Sequence, residues 1–147
     1  MWDWRWGNVP LPEPHLGGLA VGLLMHARVS RPLFAVPWLG HVAGWPLVLA
    51  GLSLAVWAVR AATNVDMAKA GRIIVQGPYA ICRNPMYVGW TLMYLGITLA
   101  VNTAWLLAAL PVVLLWTHIV VIREERHLVG RFGAEYRLYL RSVRRYL

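Results

Sequence analysis

The residues of this chain that could do chemistry lie in two short stretches, one before and one after an apolar segment. The first stretch contains Arg83-Asn84-Pro85, with Tyr87 two residues later. Asn is favoured at a helix N-cap and Pro at the first helical position, so this stretch predicts the start of a helix. Backbone N–H groups at such a start attract an anion, and a neighbouring arginine strengthens the attraction. The stretch therefore predicts either a carboxylate site or a plain helix start.

The second stretch is the acidic pair Glu124-Glu125, which follows the apolar segment. Two carboxylates near a helix C-terminus are unfavourable because the macrodipole is negative there. Helical spacing places Arg131 on the side of Glu124 and Phe132 on the side of Glu125. A carboxylate, an arginine and an aromatic ring on one crevice could bind S-adenosylmethionine, which carries an amine, a carboxylate and an aromatic ring. The alternative is a solvated helix end that pairs with adjacent arginines.

Other candidate sites have weaker support. Glu124-x-x-His127 has the spacing of half a di-iron carboxylate site, but a second copy is missing, and we expect no metal. His118 lies inside an apolar segment, where an ionisable group either marks function or bonds to a neighbouring helix. Cys82 is the only cysteine, so no intrachain disulfide can form, and a packing role is expected.

The composition indicates a membrane protein. Hydrophobic residues make up 59% of the chain and charged residues 14%, which exceeds the usual apolar content of soluble domains. Nine Trp and six Tyr suit the membrane–water interface, and the Trp-rich residues 1–6 predict an interfacial anchor. The formal net charge is +8, but the basic residues cluster between apolar segments and in the tail, as expected beside anionic headgroups. We therefore expect a lipid bilayer as partner and no nucleic acid.

The apolar segments predict about four membrane-spanning helices. The range 41–59, with Pro46 near its start, is close to the roughly 20 residues that cross a bilayer. The ranges 86–101 and 105–122 predict two more spans, and the short link Asn102-Thr103 predicts an antiparallel hairpin between them. The block 16–25 is short for a span. We interpret it as a short first helix, with a re-entrant or interfacial segment as the alternative.

Beyond residue 122 the chain becomes basic and amphipathic. Apolar and aromatic residues recur at intervals of three and four, with arginines between them: Leu128, Phe132, Tyr136, Tyr139 and Val143. This pattern predicts a helix at the membrane surface or capping the bundle, with a break at Gly133. The arginines of the tail and of the loop 60–83 place both on the cytoplasmic side. The predicted fold is all-α: one domain over 1–147, a polytopic membrane helix bundle with a C-terminal amphipathic cytoplasmic helix.

The motifs resemble those of the isoprenylcysteine carboxyl methyltransferase and phospholipid methyltransferase superfamily, over roughly residues 63–146. Each motif alone is weak, but their order around one short hairpin is more specific. They read Gly77-Pro78-Tyr79, Arg83-Asn84-Pro85-Met86-Tyr87-x-Gly89, Glu124-Glu125-x-x-Leu128 and Arg131-Phe132-Gly133-x-Glu135-Tyr136-x-x-Tyr139-x-x-x-Val143.

The resemblance implies a helical membrane enzyme that transfers a methyl group from S-adenosylmethionine. It further implies a cofactor on the cytoplasmic side and an acceptor that arrives from the lipid. Glu125 and Arg131 are implied to act on the acceptor. Many members have His where this chain has Asn84, so a charged role is not carried over. The implied cofactor-binding residues are Tyr79, Arg83, Asn84, Tyr87, Gly89, Glu124, Glu125, Leu128, Phe132 and Tyr136.

The predicted function is methyl transfer from S-adenosylmethionine to a lipophilic or small acceptor, at the cytoplasmic face of a membrane, most simply the inner membrane. The acceptor carries a carboxylate, an amine or a thiol. Glu125 would orient the acceptor or the cofactor amine, and Arg131 would position an acceptor carboxylate. Two alternatives remain open: a membrane reductase that uses NADPH, and a non-catalytic membrane subunit whose charged residues are solvated helix ends.

Overall fold

The computed structural model describes residues 12–62 and 73–147, and these form five α-helices. In chain order the helices are α1 (Glu13–Arg28), α2 (Pro37–Ala62), α3 (Pro85–Ala100), α4 (Ala104–Phe132) and α5 (Ala134–Ser142). One 3-10 turn, Gly77–Ala80, precedes α3. Within these two ranges there is no strand, although the backbones of Cys82 and Arg144 form an isolated parallel bridge. The all-helical prediction is confirmed.

Helices α2 and α3 run antiparallel with their backbones in close contact. A Cβ built on Gly44 would lie 2.5 Å from the carbonyl oxygen of Gly96, and one on Gly51 would lie 2.5 Å from that of Gly89. Only residues without a side chain permit this approach. Gly89 therefore serves helix packing, the role that its spacing from Gly96 also favours.

The link between α3 and α4 is as short as predicted, and it forms an antiparallel hairpin. Asn102 adopts a positive φ of 55°, a conformation that Asn tolerates better than most residues. Its side-chain oxygen accepts hydrogen bonds from the N–H groups of Leu33 (2.9 Å) and Phe34 (2.8 Å). Thr103 caps α4 by accepting from the N–H of Trp105. Asn102 thus ties the hairpin to the connection between α1 and α2.

Helix α1 is longer than the predicted block 16–25 and packs mainly against α4. Along α1, Gly18 faces Val113 and Gly22 faces Leu106, so the two helices run antiparallel. Tyr94 of α3 is 1% exposed in the same contact, and its hydroxyl donates to the carbonyl oxygen of Leu106 at 2.9 Å. The four long helices therefore alternate in direction, and α4 returns its C-terminal part to the end where α3 begins.

Within residues 12–62 and 73–147, two helices are long and apolar enough to cross a membrane, α2 and α4. Helices α1 and α3 have 16 residues each, about 24 Å at 1.5 Å per residue. Pro46 lies inside α2 and not near its start, because the helix begins at Pro37. The outer face of α2 exposes large apolar side chains, as a lipid-facing helix would: Trp38, Val42, Trp45, Leu49, Leu52 and Trp57. The predicted anchor at 1–6 lies outside the described residues, as do Lys69 and Arg72 of the basic loop.

The apolar part of α4 ends at Ile122, and the tail folds back onto its polar last third. Gly133 ends α4 with a φ of 56°, so the predicted break is confirmed. Helix α5 buries Tyr136 and Tyr139, and the extended residues after it reach the start of α3. The N–H of Arg83 donates to the carbonyl oxygen of Arg144 at 2.9 Å. The tail therefore caps one end of the bundle, one of the two positions predicted for it.

The close contact of α2 and α3 makes a test of the fold. Gly44→Ala should destabilise the protein by about 1–3 kcal/mol, because the new Cβ would meet backbone atoms that cannot rotate away. Gly17→Ala is the matched control, since no described atom lies within 4 Å of a Cβ at that position of α1. It should be neutral or stabilising by up to about 1 kcal/mol. Thermal unfolding in detergent measures both, and equal melting temperatures for the two variants would contradict the packing.

Candidate active site at the polar end of the bundle

Three segments far apart in the chain meet at the polar end of the bundle. They are the residues that lead into α3, the last third of α4 and the tail after α5. The 3-10 turn at Gly77–Ala80 directs the chain toward α3, and Gly77 needs its positive φ of 60°. The hydroxyl of Tyr139 donates to the carbonyl oxygen of Tyr79 at 2.6 Å, which fixes this turn against α5.

Arg83 is the residue that joins the three segments. Its side chain is 8% exposed, and its Nε donates to Oε1 of Glu125 at 3.0 Å. Its Nη1 donates to the carbonyl oxygens of Leu140 (2.8 Å) and Val143 (2.6 Å). A buried guanidinium with these partners has little freedom to move. Arg83 therefore holds Glu125 and the tail in one arrangement.

The Glu125 carboxylate lies at the centre of a polar cluster, and its side chain is 7% exposed. The other members of this cluster are Arg83, Asn84, Tyr87, Glu124 and Arg145. Its Oε1 accepts from Arg83, and its Oε2 accepts from both Nε (3.0 Å) and Nη2 (2.8 Å) of Arg145. Burial acts to raise the pKa of Glu125. The hydrogen bonds and positive charges of Arg145 and Arg83 outweigh burial, so the pKa lies below its usual value. Glu125 is therefore held as a charged carboxylate.

Asn84 occupies the N-cap position of α3, as predicted, but its side chain does not cap the helix. Its Nδ2 lies 3.4 Å from Oε1 of Glu125 and donates to the carbonyl oxygen of Arg145 at 3.2 Å. The first N–H groups of α3 therefore donate no hydrogen bond to this side chain. Asn84 contributes instead as a neutral donor to the acid and to the tail.

A second acid lies beside the first. The hydroxyl of Tyr87 donates to Oε1 of Glu124 at 2.8 Å, and Tyr87 itself is 4% exposed. Glu124 is the more exposed of the two acids. The pair Glu124–Tyr87 thus links α4 to the first turn of α3, next to the link made by Glu125 and Arg83.

The other predicted residues lie farther from Glu125. Tyr136 is buried near it, and burial, together with the Glu125 charge, raises the pKa of Tyr136 to about 12. Leu128 and Phe132 are half-buried on α4. Arg131 lies exposed in the last turn of α4, with its guanidinium carbon 5.5 Å from the centroid of the Phe132 ring. Among the described residues, the side chains that hydrogen-bond to Glu125 are those of Arg83, Asn84 and Arg145, and Arg131 is not one of them.

Sequence reasoning missed the part of the tail that contacts the acid. Arg145 and Arg144 are adjacent arginines in a basic tail, and no pattern distinguishes them. The side chain of Arg145 binds Glu125, whereas Arg144 is exposed and contributes its backbone. His118 lies 3.1 Å from the hydroxyl of Tyr146, so its partner is the tail and not a neighbouring helix. In the sequence, the break at Gly133 is the only local pattern that indicates that the tail turns back.

The cluster offers groups of three kinds to a ligand. It has carboxylates for an amine, guanidinium groups for a carboxylate, and aromatic rings for a planar base. Among the described residues there is no group of three or more His, Cys, Asp or Glu that could hold a metal ion. The carboxylates, guanidinium groups and rings at this end of the bundle could bind and orient a charged small molecule.

The lowered pKa of Glu125 predicts a pH dependence. The folded-state pKa lies below the unfolded one, so the ion pairs stabilise the fold above the unfolded pKa, and this gain is lost as the pH falls through the folded pKa. The melting temperature of the wild type should therefore exceed that of Glu125→Gln most at pH 7, and the gap should shrink below about pH 4.5. Glu135→Gln, an exposed acid on α5, is the matched control. A gap for Glu125→Gln that stays constant from pH 7 to pH 3 would contradict the assignment.

Comparison with known proteins identifies the family. The model of the phospholipid methyltransferase family matches residues 39–135, which is well over half of the chain. The match includes α3, α4 and all but the first two residues of α2, and with them Arg83, Asn84, Tyr87 and the two acids. Searches of curated proteins and of solved structures gave no match. The motifs, the helical fold and this match agree, and the chain belongs to the phospholipid methyltransferase family.

Proposed function

We propose that this protein transfers a methyl group from S-adenosylmethionine to a lipophilic or small acceptor at the cytoplasmic face of a membrane. The observation that carries the proposal is the buried Glu125 carboxylate, held by two arginines where apolar helices end. Membership of a methyltransferase family supports the reaction type. The acceptor would carry a carboxylate, an amine or a thiol, and would approach from the lipid.

The membrane arrangement that we propose has four spans, made by α1 to α4. Their alternating directions place both the start of α1 and the polar end of α4 on one side. The arginines beyond Ile122 favour the cytoplasm for that side. Helices α1 and α3 are short for a span, and Arg28 at the end of α1 would reach the headgroups by snorkelling. Helix α5 would lie across the cytoplasmic end as an amphipathic cap.

The donor set of the cluster fits the cofactor. S-adenosylmethionine carries an ammonium, a carboxylate, a sulfonium and an adenine, and the cluster supplies acids, guanidinium groups and aromatic rings beside one another. When bound, the cofactor supplies an electrophilic methyl group. The residues that we propose to hold it are Tyr79, Arg83, Asn84, Tyr87, Gly89, Glu124, Glu125, Leu128, Phe132 and Tyr136.

The protein's own contribution is orientation in a water-poor site. Glu125 has its charge set by Arg83, so it can orient an amine of the cofactor or the acceptor without a proton transfer. We propose that Arg131, at the exposed end of α4, positions an acceptor carboxylate and lowers the cost of removing it from water. A carboxylate needs no base at neutral pH, whereas an amine or a thiol does. The lowered pKa of Glu125 makes it a weak base, which favours a carboxylate acceptor. Alignment of reacting groups then provides most of the rate gain.

The proposed roles predict two loss-of-function variants. Glu125→Gln and Arg131→Ala should each lower kcat/KM by at least about tenfold, or about 1.4 kcal/mol in barrier. The assay follows labelled methyl from S-adenosylmethionine into vesicles that contain an aminophospholipid, a fatty acid or a lipophilic thiol. Arg126→Ala, which removes an exposed arginine of the same helix, is the matched control and should retain activity. Wild-type turnover in a variant would refute the role of its residue.

Cofactor choice is tested by binding alone. Isothermal titration of the detergent-solubilised protein should detect S-adenosylhomocysteine and should not detect NADPH. Binding of NADPH without S-adenosylhomocysteine would favour a reductase. Binding of neither ligand by a folded sample would favour a non-catalytic subunit.

A further inference from the structure

The two partners of the ion pair between Glu125 and Arg145 differ in how far they are exposed. Glu125 lies on α4 with 7% of its side chain exposed, and Arg83 holds its other oxygen with 8% exposed. Arg145 lies on the extended tail with 35% of its side chain exposed. A long side chain with one exposed face can turn away, whereas the carboxylate and Arg83 cannot. Arg145 is therefore the exchangeable partner of this pair.

The contacts of the tail backbone do not depend on the Arg145 side chain. The carbonyl oxygen of Arg145 accepts from Asn84 at 3.2 Å, and Arg83 binds the carbonyl oxygens of Leu140, Val143 and Arg144. The tail would thus stay docked if the guanidinium left Glu125. Movement of one side chain is enough to open both charges of the pair to a ligand.

The charges of Glu125 and its two arginine partners favour an anion next to a cation. Two guanidinium groups surround one carboxylate, which leaves one net positive charge on Arg83, Arg145 and Glu125 together. An incoming ammonium alone would compete with Arg145 for Glu125 and leave that guanidinium without an acid. A ligand with a carboxylate beside its ammonium would satisfy both partners, because buried charges need opposite charges within hydrogen-bond distance.

We propose that Arg145 binds the carboxylate of the cofactor's amino-acid end, while Glu125 binds its ammonium in place of Arg145. This inference rests on the proposed function, since it concerns the same site. The ion pair between Glu125 and Arg145 is replaced by one pair between Glu125 and the ligand ammonium and one between Arg145 and the ligand carboxylate. Glu125 and Arg145 therefore each keep an oppositely charged hydrogen-bond partner. Arg145 lies beyond the residues that the family match covers. Arg145 would make the site bind a ligand with both the ammonium and the carboxylate more tightly than one that lacks the carboxylate.

The test compares two ligands on the same variants by isothermal titration. One ligand is S-adenosylhomocysteine. The other is its decarboxylated analogue, which keeps the adenosine and the amine and lacks the carboxylate. Arg145→Gln should weaken S-adenosylhomocysteine by at least about tenfold and leave the affinity for the analogue unchanged or higher. Arg144→Gln is the matched control, because the side chain of Arg144 is exposed, and it should change neither affinity.

Each other outcome has a definite meaning. Equal weakening of both ligands by Arg145→Gln would show that Arg145 only supports the fold, and equal strengthening would show that it only blocks the site. Unchanged affinity for S-adenosylhomocysteine would likewise overturn the inference. If Arg145→Gln does not fold, Arg145→Lys serves, since it keeps the charge but loses the two-pronged geometry and should still weaken S-adenosylhomocysteine alone. A wild-type protein that binds no S-adenosylhomocysteine would instead refute the proposed function.

Discussion

A charged carboxylate inside a largely apolar molecule is the constraint on which the rest of the polar end depends. Removing an ionised Glu from water is costly unless opposite charges and hydrogen bonds replace its hydration. Glu125 obtains these replacements from Arg83, just before α3, and from Arg145, in the tail. Because the three residues come from distant parts of the chain, one buried charge requires the start of α3, the last third of α4 and the tail to meet. Removing Arg83 would leave Glu125 with only the half-exposed Arg145 of the tail as its charged partner.

Packing between the helices brings these segments together, because it fixes the positions of the start of α3 and the end of α4. The glycine contacts between α2 and α3 fix the position of α3 along α2. They are made with backbone atoms, which cannot adjust as side chains do. Asn102 holds the α3–α4 hairpin to the segment between α1 and α2. With that far end fixed, α4 extends past its apolar part and presents Glu124 and Glu125 beside Tyr87 and Arg83. The site is thus positioned by rigid elements, although one of its walls is an extended tail.

The arrangement bears on the proposed methyl transfer. The positive charge of the sulfonium is lost when the methyl group leaves, so fixed polar groups that align the reactants would favour the reaction. The cluster offers such groups beyond the apolar part of α4. Membership of the phospholipid methyltransferase family is consistent with that placement. In the proposed exchange, the two guanidinium groups beside Glu125 favour a zwitterionic ligand over a simple amine.

Local patterns were enough to predict the elements of this protein but not all of their contacts. Apolar runs, the brief Asn102-Thr103 link and Gly133 predicted the helices, the hairpin and the break, because these features depend on neighbouring residues and on burial. The resemblance grouped Arg83-Asn84-Pro85 with Glu124-Glu125, and the structure brings Arg83 and Asn84 within hydrogen-bond distance of Glu125. Pro46 was misplaced because helix ends depend on packing more than on one residue. Three contacts arise only after the tail folds back. Arg145 binds Glu125 where Arg144 does not, Asn84 donates to Glu125, and His118 contacts Tyr146. They depend on distances between segments remote along the chain, which no local pattern contains.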